Sequence, residues 1–141
     1  MQQLLEFVGH HPVLVLSFVA LLVLLVVNEI RERAGGGNNL TALDATQLAN
    51  HQNGVFLDVR EDKEYQEGHV LNAIHIPLGQ LNDQVKKLEK YRHKPIIAYC
   101  RTGSRSASAC ARLRKQGFES VYNLTGGIMA WQKDNLPVTR K

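Results

Sequence analysis

Hydrophobic and polar positions divide the chain into two regimes. In the first, no Asp, Glu, Lys or Arg occurs between Phe7 and Val27, and the stretch from Pro12 to Val27 is almost wholly aliphatic. A core helix would show a polar stripe, and this block has none. About 20 such residues at 1.5 Å rise cover a hydrocarbon core of roughly 30 Å. Residues 1–6 are therefore read as a short flank and residues 7–27 as a transmembrane helix. A cleaved signal peptide would carry a basic n-region and a small-residue cleavage site. Here Glu6 precedes the block without any Lys or Arg, and Asn28-Glu29-Ile30-Arg31-Glu32-Arg33 offers no A-x-A.

In the second regime, short apolar runs alternate with helical periodicity. Residues 28–39, ending in Ala34-Gly35-Gly36-Gly37-Asn38-Asn39, read as a juxtamembrane Gly-rich linker. Leu40-Thr41-Ala42 reads as an edge strand, and Asp44-Ala45-Thr46-Gln47 as a capping box opening a helix with Leu48 on its apolar face, ending near Asn53-Gly54. Residues 55–59, 73–76, 95–99 and 120–124 are strand-like, and the run from Val55 to Val59 is continuous rather than alternating, as a strand covered on both faces requires. Between them, residues 61–66 predict a short helix. Leu81, Val85 and Leu88 at i, i+4 and i+7 predict an amphipathic one. Residues 106–116 form an Ala-rich helix closed by Gly117, with Cys110 on a core-facing stripe beside Ala107 and Ala111. Gly127 to Lys133 forms a last helix with Ile128 and Trp131 inward. Alternating strands and helices imply an α/β domain, residues 40–137, built on a parallel sheet covered on both faces, with residues 138–141 as a tail.

Charge changes this picture little. The net charge is +4 and the pI near 9.2. Lys86, Lys87, Lys90, Arg92 and Lys94 precede the strand at 95–99, Arg101, Arg105, Arg112, Arg114 and Lys115 follow it, and Glu61, Asp62, Glu64 and Glu67 cluster earlier. Few aromatics interleave with the basic residues and no nucleic-acid motif occurs, so the excess points to small anions or anionic lipid rather than to nucleic acid. Cys100 and Cys110 have no metal-ligand spacing and do not form a disulfide framework, which fits a reducing, cytosolic setting and no metal.

The candidate chemistry lies between the strand at 95–99 and the helix after it. A loop this short must turn several backbone N–H groups into one concavity, and Gly103 supplies the permissive backbone. Cys100 at its rim, beside a helix N-terminus, Arg101 and Arg105, is expected to have a lowered pKa and to act as a nucleophile. Asp58 and Arg60 sit at the C-terminal end of another strand, the end that faces the site in open α/β sheets. They either support the loop or form a local pair holding a turn. An imidazole can serve as a base near neutrality, but His69 has no adjacent acid or serine partner, so it is read, like His75, as structural.

Cys100-Arg101-Thr102-Gly103-Ser104-Arg105-Ser106 closely resembles the active loop of the rhodanese sulfurtransferase domain. Leu57-Asp58-Val59-Arg60 resembles that family's first signature, Glu64-Tyr65-Gln66-Glu67-Gly68-His69-Val70 with Ala73-Ile74-His75-Ile76-Pro77 its second, and Gly126-Gly127 with Trp131 its last. The resemblance runs from about Leu40 to Pro137 and implies a rhodanese-like sheet in an inner-membrane protein of bacterial type. It implies that catalytic Cys100 carries a sulfur as a persulfide, with Arg101, Thr102, Gly103, Ser104 and Arg105 binding the substrate. The implied donor is thiosulfate or a persulfide, the acceptor a thiol or cyanide-like nucleophile, and no cofactor is needed. A cysteine phosphatase has a similar loop, but places its arginine six positions after the cysteine, whereas Arg105 is five after Cys100. The other alternative is a membrane-tethered binding module for a membrane-protein partner. Arg31 and Arg33 follow the apolar block and no Lys or Arg precedes it, so the expected topology is one inner-membrane span, N-terminus outside and domain cytoplasmic.

Overall fold

The computed structural model describes residues 1–36 and 38–141, with the side chains of Leu4, Leu5 and residues 31–36 outside that description. Two compact units are present, residues 1–37 and 38–141. In the first, α1 (Gln2–His10) ends before Pro12, and α2 runs Pro12–Gly36. Pro12 suits the first helical position, where its missing N–H has no partner to lose. One stretch of α2, Pro12–Ile30, is long and apolar enough to cross a membrane, with a mean hydropathy of 2.7. The apolar span thus starts later than the expected residue 7, because Pro12 begins a new helix. The residues read as linker are helical as far as Gly36, since nothing from Asn28 to Ala34 interrupts helical hydrogen bonding, and Gly37 lies outside the described residues.

The second unit is an α/β fold around a five-stranded parallel sheet, in the order β1 (Asn39–Leu40), β6 (Val121–Leu124), β5 (Ile96–Tyr99), β2 (Val55–Asp58), β4 (Ile74–His75). Every β5 side chain is buried, and its two-residue alternation supplies both faces: Ile96 and Ala98 join one core, Ile97 and Tyr99 the other. The first core is covered by α6 (Ser104–Lys115) through Ala109, Cys110 and Leu113, together with Leu81 and Leu88. The second is covered by α3 (Ala42–Gln52) and α7 (Gly127–Lys133), where Trp131 meets Phe56 edge-on at 5.2 Å. Each fully buried Leu or Ile contributes roughly 1.5–3 kcal/mol. These two layers, rather than the two-residue strands at the edges, hold the domain together.

Local differences from the sequence expectations have identifiable causes. The α3 cap is Thr41, whose hydroxyl accepts from the Asp44 N–H, so the capping motif lies three residues earlier than Asp44-Ala45-Thr46-Gln47. Leu81 and Leu88 are buried as expected, but only α5 (Leu81–Gln84) is α-helical. Residues 85–91 tighten to a 3-10 helix. The buried stripe of α6 is Ser106, Ala109, Cys110 and Leu113, leaving Ala107 and Ala111 exposed. That helix ends as expected at Gly117 (φ +90°): the Phe118 N–H reaches Leu113 O and the Gly117 N–H reaches Arg114 O. In the expected tail, β7 (Val138–Thr139) pairs antiparallel with β3 (His69–Val70), two strands too short for any periodicity to reveal.

Candidate active site

β5 delivers Cys100 to the C-terminal edge of the sheet, between β2 and β6, where it is 1% exposed. Gly103 then adopts φ +108° and caps α6, a conformation that favours glycine. This bend aims the Gly103 N–H at the Cys100 Sγ, 3.1 Å away, while the Ser106 hydroxyl lies 3.5 Å from the same sulfur. Asn123, at the end of β6, ties the loop down: its Nδ2 donates to Gly103 O at 3.2 Å and its Oδ1 is 2.5 Å from Ser106 Oγ.

The carbonyl side of the loop is held by α7. The Ile128 N–H donates to Cys100 O at 2.9 Å and the Met129 N–H to Arg101 O at 3.3 Å. A Cβ on Gly127, itself at φ +58°, would fall far inside contact distance of both carbonyls. Two backbones can approach so closely only because position 127 is glycine. With its carbonyls engaged by α7, the loop is left with N–H groups facing the sulfur.

Burial pushes the Cys100 thiol up, but the Ser106 hydroxyl and the N–H groups of Ser106, Gly103 and Thr102 outweigh it and hold the thiol below its ordinary value. The expected lowering is thus present, and the expected contribution of the helix N-terminus takes the form of these N–H groups; Arg105 interacts with the Cys100 charge, but its guanidinium is committed elsewhere. Burial pushes Cys110 up to about 11. Iodoacetamide at neutral pH is therefore expected to alkylate Cys100 and spare Cys110 in the folded protein. In Ser106→Ala the pH midpoint of that reaction should move upward, and a coincident profile would show that the hydroxyl does not stabilise the thiolate.

Arg105 makes a bidentate pair with Glu64 on α4 (Asp62–Glu67), with Nη1 at 2.7 Å and Nη2 at 2.8 Å from its oxygens. Glu64 also accepts from the Glu61 N–H at the helix start, and the Arg105 hydrogen bonds bring its carboxyl down to about 2. Because the folded value lies below the ordinary one, this pair adds stability above about pH 4.5, which is lost as pH falls towards about 2. Asp58 and Arg60 form a separate buried pair at 2.7 Å, and Arg60 Nη2 also donates to Gly68 O at 2.7 Å. These contacts hold the turn from β2 to β3. The Arg60 guanidinium carbon also stands 5.7 Å from the centre of the Tyr99 ring, at the end of β5. His69 and His75 sandwich the Tyr65 ring at 3.7 and 4.2 Å, a packing role for both. Arg101 and Thr102 on the loop, and Ser104 at the start of α6, are exposed. The sequence assigns no role in the site to Glu64 or Asn123, although Glu64 opens the second signature and Asn123 stands near the C-terminal end of a strand, as Asp58 does.

Residues 41–134 match the family model described as the rhodanese-like domain. The chain belongs to the rhodanese family. A relative over the full length is the uncharacterized protein YibN of Escherichia coli K12, 31% identical over 141 residues and covering 99% of both chains. The thiosulfate sulfurtransferase GlpE of Coxiella burnetii is 36% identical over 93 residues, 66% of this chain and 85% of its own. The crystal structure of a rhodanese-related protein from Thermoplasma volcanium superposes with a TM-score of 0.67 at 32% identity, covering 74% of this chain and 99% of that one. The family-matched stretch ends before β7, so β7 and Arg140 lie beyond it, while the partner strand β3 lies within it.

Proposed function

We propose that this rhodanese domain is a sulfurtransferase that moves a sulfane sulfur through a Cys100 persulfide. The observation that carries the reading is the convergence of the Gly103 N–H and the Ser106 hydroxyl on the Cys100 sulfur. The thiolate attacks the outer sulfur of thiosulfate. A Cys100 S–S bond forms, the S–S bond of the donor breaks, and sulfite leaves with the electron pair. The loop N–H groups stabilise the anionic outer sulfur, the form of electrostatic assistance that needs no reorganisation during reaction. Sulfurtransferase relatives such as GlpE support the same chemistry. Treating the full chain in mild detergent with thiosulfate is expected to add about 32 Da, one sulfur, to the peptide containing Cys100 and nothing to that containing Cys110. No mass gain at Cys100, under conditions that load a known sulfurtransferase, would overturn the reading.

The apolar stretch Pro12–Ile30 serves in this reading as an uncleaved anchor, with its cytoplasmic end marked by Arg31 and Arg33. A cytosolic domain suits a reactive thiol that an oxidising compartment would consume. Protease added to intact spheroplasts should spare the domain and digest it only after lysis. Digestion before lysis would reverse the topology.

A further inference from the structure

Beside β4, the outer strand of the sheet, lies a cavity of about 540 Å³, lined by Ile74 of β4 and by Lys86, Lys87, Glu89, Lys90 and Tyr91 of the 3-10 helix at residues 85–91. None of these residues belongs to the active loop. The volume falls in the range, ~300–1,000 Å³, of sites for small organic groups. Three exposed lysines alone would be a solvated face, but this cluster has two further properties. Its own carboxylate is neutralised: both oxygens of Glu89 accept from Arg92, at 2.9 and 2.8 Å, so the lining is left cationic. Lys87 spends one N–H on Gln84 Oε1 and keeps two. The cavity also has a half-buried apolar wall in Ile74 and Tyr91, and the Lys90 and Lys94 ammoniums stand 5.1 and 6.0 Å from the centre of the Tyr91 ring. Tyrosine flanked by lysines suits the headgroup layer of a membrane, where an amphipathic ring and a charged side chain on an apolar stem are both satisfied. Residues 31–37 are all that separates the apolar span, ending at Ile30, from the domain, beginning at Asn38. Even fully extended, at no more than ~3.6 Å per residue, they reach only roughly 30 Å.

We infer that this cavity seats the headgroup of an anionic phospholipid, so that the domain docks on the membrane surface through Lys86, Lys87, Lys90 and Tyr91. The inference rests on the reading of Pro12–Ile30 as an anchor and adds a second, charge-selective attachment to it. The three ammoniums donate to the phosphate oxygens, while Tyr91 and Ile74 meet the glycerol and the first acyl carbons. A zwitterionic headgroup brings its own cation into the same space and is disfavoured. The attraction acts within a Debye length, about 8–10 Å, which the short tether makes accessible to this face.

The test reconstitutes the full chain in vesicles of phosphatidylcholine alone or of phosphatidylcholine and phosphatidylglycerol in equal parts. Lysines are acetylated in a short pulse of the uncharged reagent N-acetoxysuccinimide and read by peptide mass spectrometry against Lys63 and Lys133, exposed on α4 and α7. Lys86, Lys87 and Lys90 should react about fivefold more slowly in the anionic vesicles, the factor that corresponds to the attraction of one lysine to an anionic leaflet. High salt should close the difference. In Lys90→Glu, the protection of Lys86 and Lys87 should shrink. Acetylation at these lysines that follows Lys63 and Lys133 in both vesicles would overturn the headgroup site. Equal protection by inorganic phosphate added to phosphatidylcholine vesicles would overturn it in favour of a free anion, and protection confined to native membrane vesicles would give the face to a protein partner. A chain that alkaline carbonate strips from the vesicles, yet whose lysines are protected by phosphatidylglycerol, would instead sink the anchor reading and leave the headgroup site standing.

Discussion

Cys100→Ser is expected to end sulfur transfer outright, with a loss of at least about 10⁴-fold, the scale seen when a covalent nucleophile is removed. A serine hydroxyl is not ionised near neutrality and cannot store sulfur as a persulfide, so both the mass gain and turnover should vanish together. The fold should survive. Cys100 is buried, but the smaller serine introduces a hydroxyl whose partners are already in place, the Gly103 N–H and the Ser106 Oγ. The stability change is therefore expected within about 1 kcal/mol, and a melting curve beside the activity assay separates the two effects. Residual persulfide in Cys100→Ser would move the chemistry to Cys110, whose raised pKa and burial in the first core argue against it.

The features legible in the sequence are those in which one short segment carries the whole signal. Residues 96–99 are apolar enough to demand burial on both faces, and Cys100, Gly103 and Gly117 bracket a loop and helix in one continuous stretch. Gly126-Gly127 was visible as a signature, but its reason was not. Only the approach of two loop carbonyls to α7 explains why a Cβ is excluded there. Glu64 is legible as one of several clustered acids and as the first residue of the second signature, but not as the partner of Arg105. That it holds Arg105 depends on bringing together positions 41 residues apart, which no local spacing encodes. The same limit hid β7, a two-residue strand whose existence depends on its partner at His69 and Val70. Of the causes the sequence offers for a lowered Cys100 pKa, the helix N-terminus acts through the N–H groups of Thr102, Gly103 and Ser106, while the Ser106 hydroxyl is an addition that no local spacing marks.

Arg105→Ala is expected to reduce kcat/KM for thiosulfate by about 10²-fold, the usual result of removing one group aimed at developing charge. The guanidinium stands at the loop rim, interacts with the Cys100 charge, and is kept there by both oxygens of Glu64. Arg105→Lys should recover only part of the loss, because an ammonium cannot hold a carboxylate through two parallel N–H donors. Glu64→Gln should cost less than Arg105→Ala, since the guanidinium remains but is no longer fixed, and the double variant should lose less than the sum of the two. Stability offers an independent reading of the same pair. Its contribution is present above about pH 4.5 and disappears as Glu64 protonates towards about 2, so wild type and Glu64→Gln should converge in stability on acidification. If Arg105→Ala kept the full rate near neutrality and differed only in its acid and thermal unfolding, Arg105 would be a structural clamp between α4 and α6, and the charge at the thiolate would rest on the loop N–H groups and Ser106 alone.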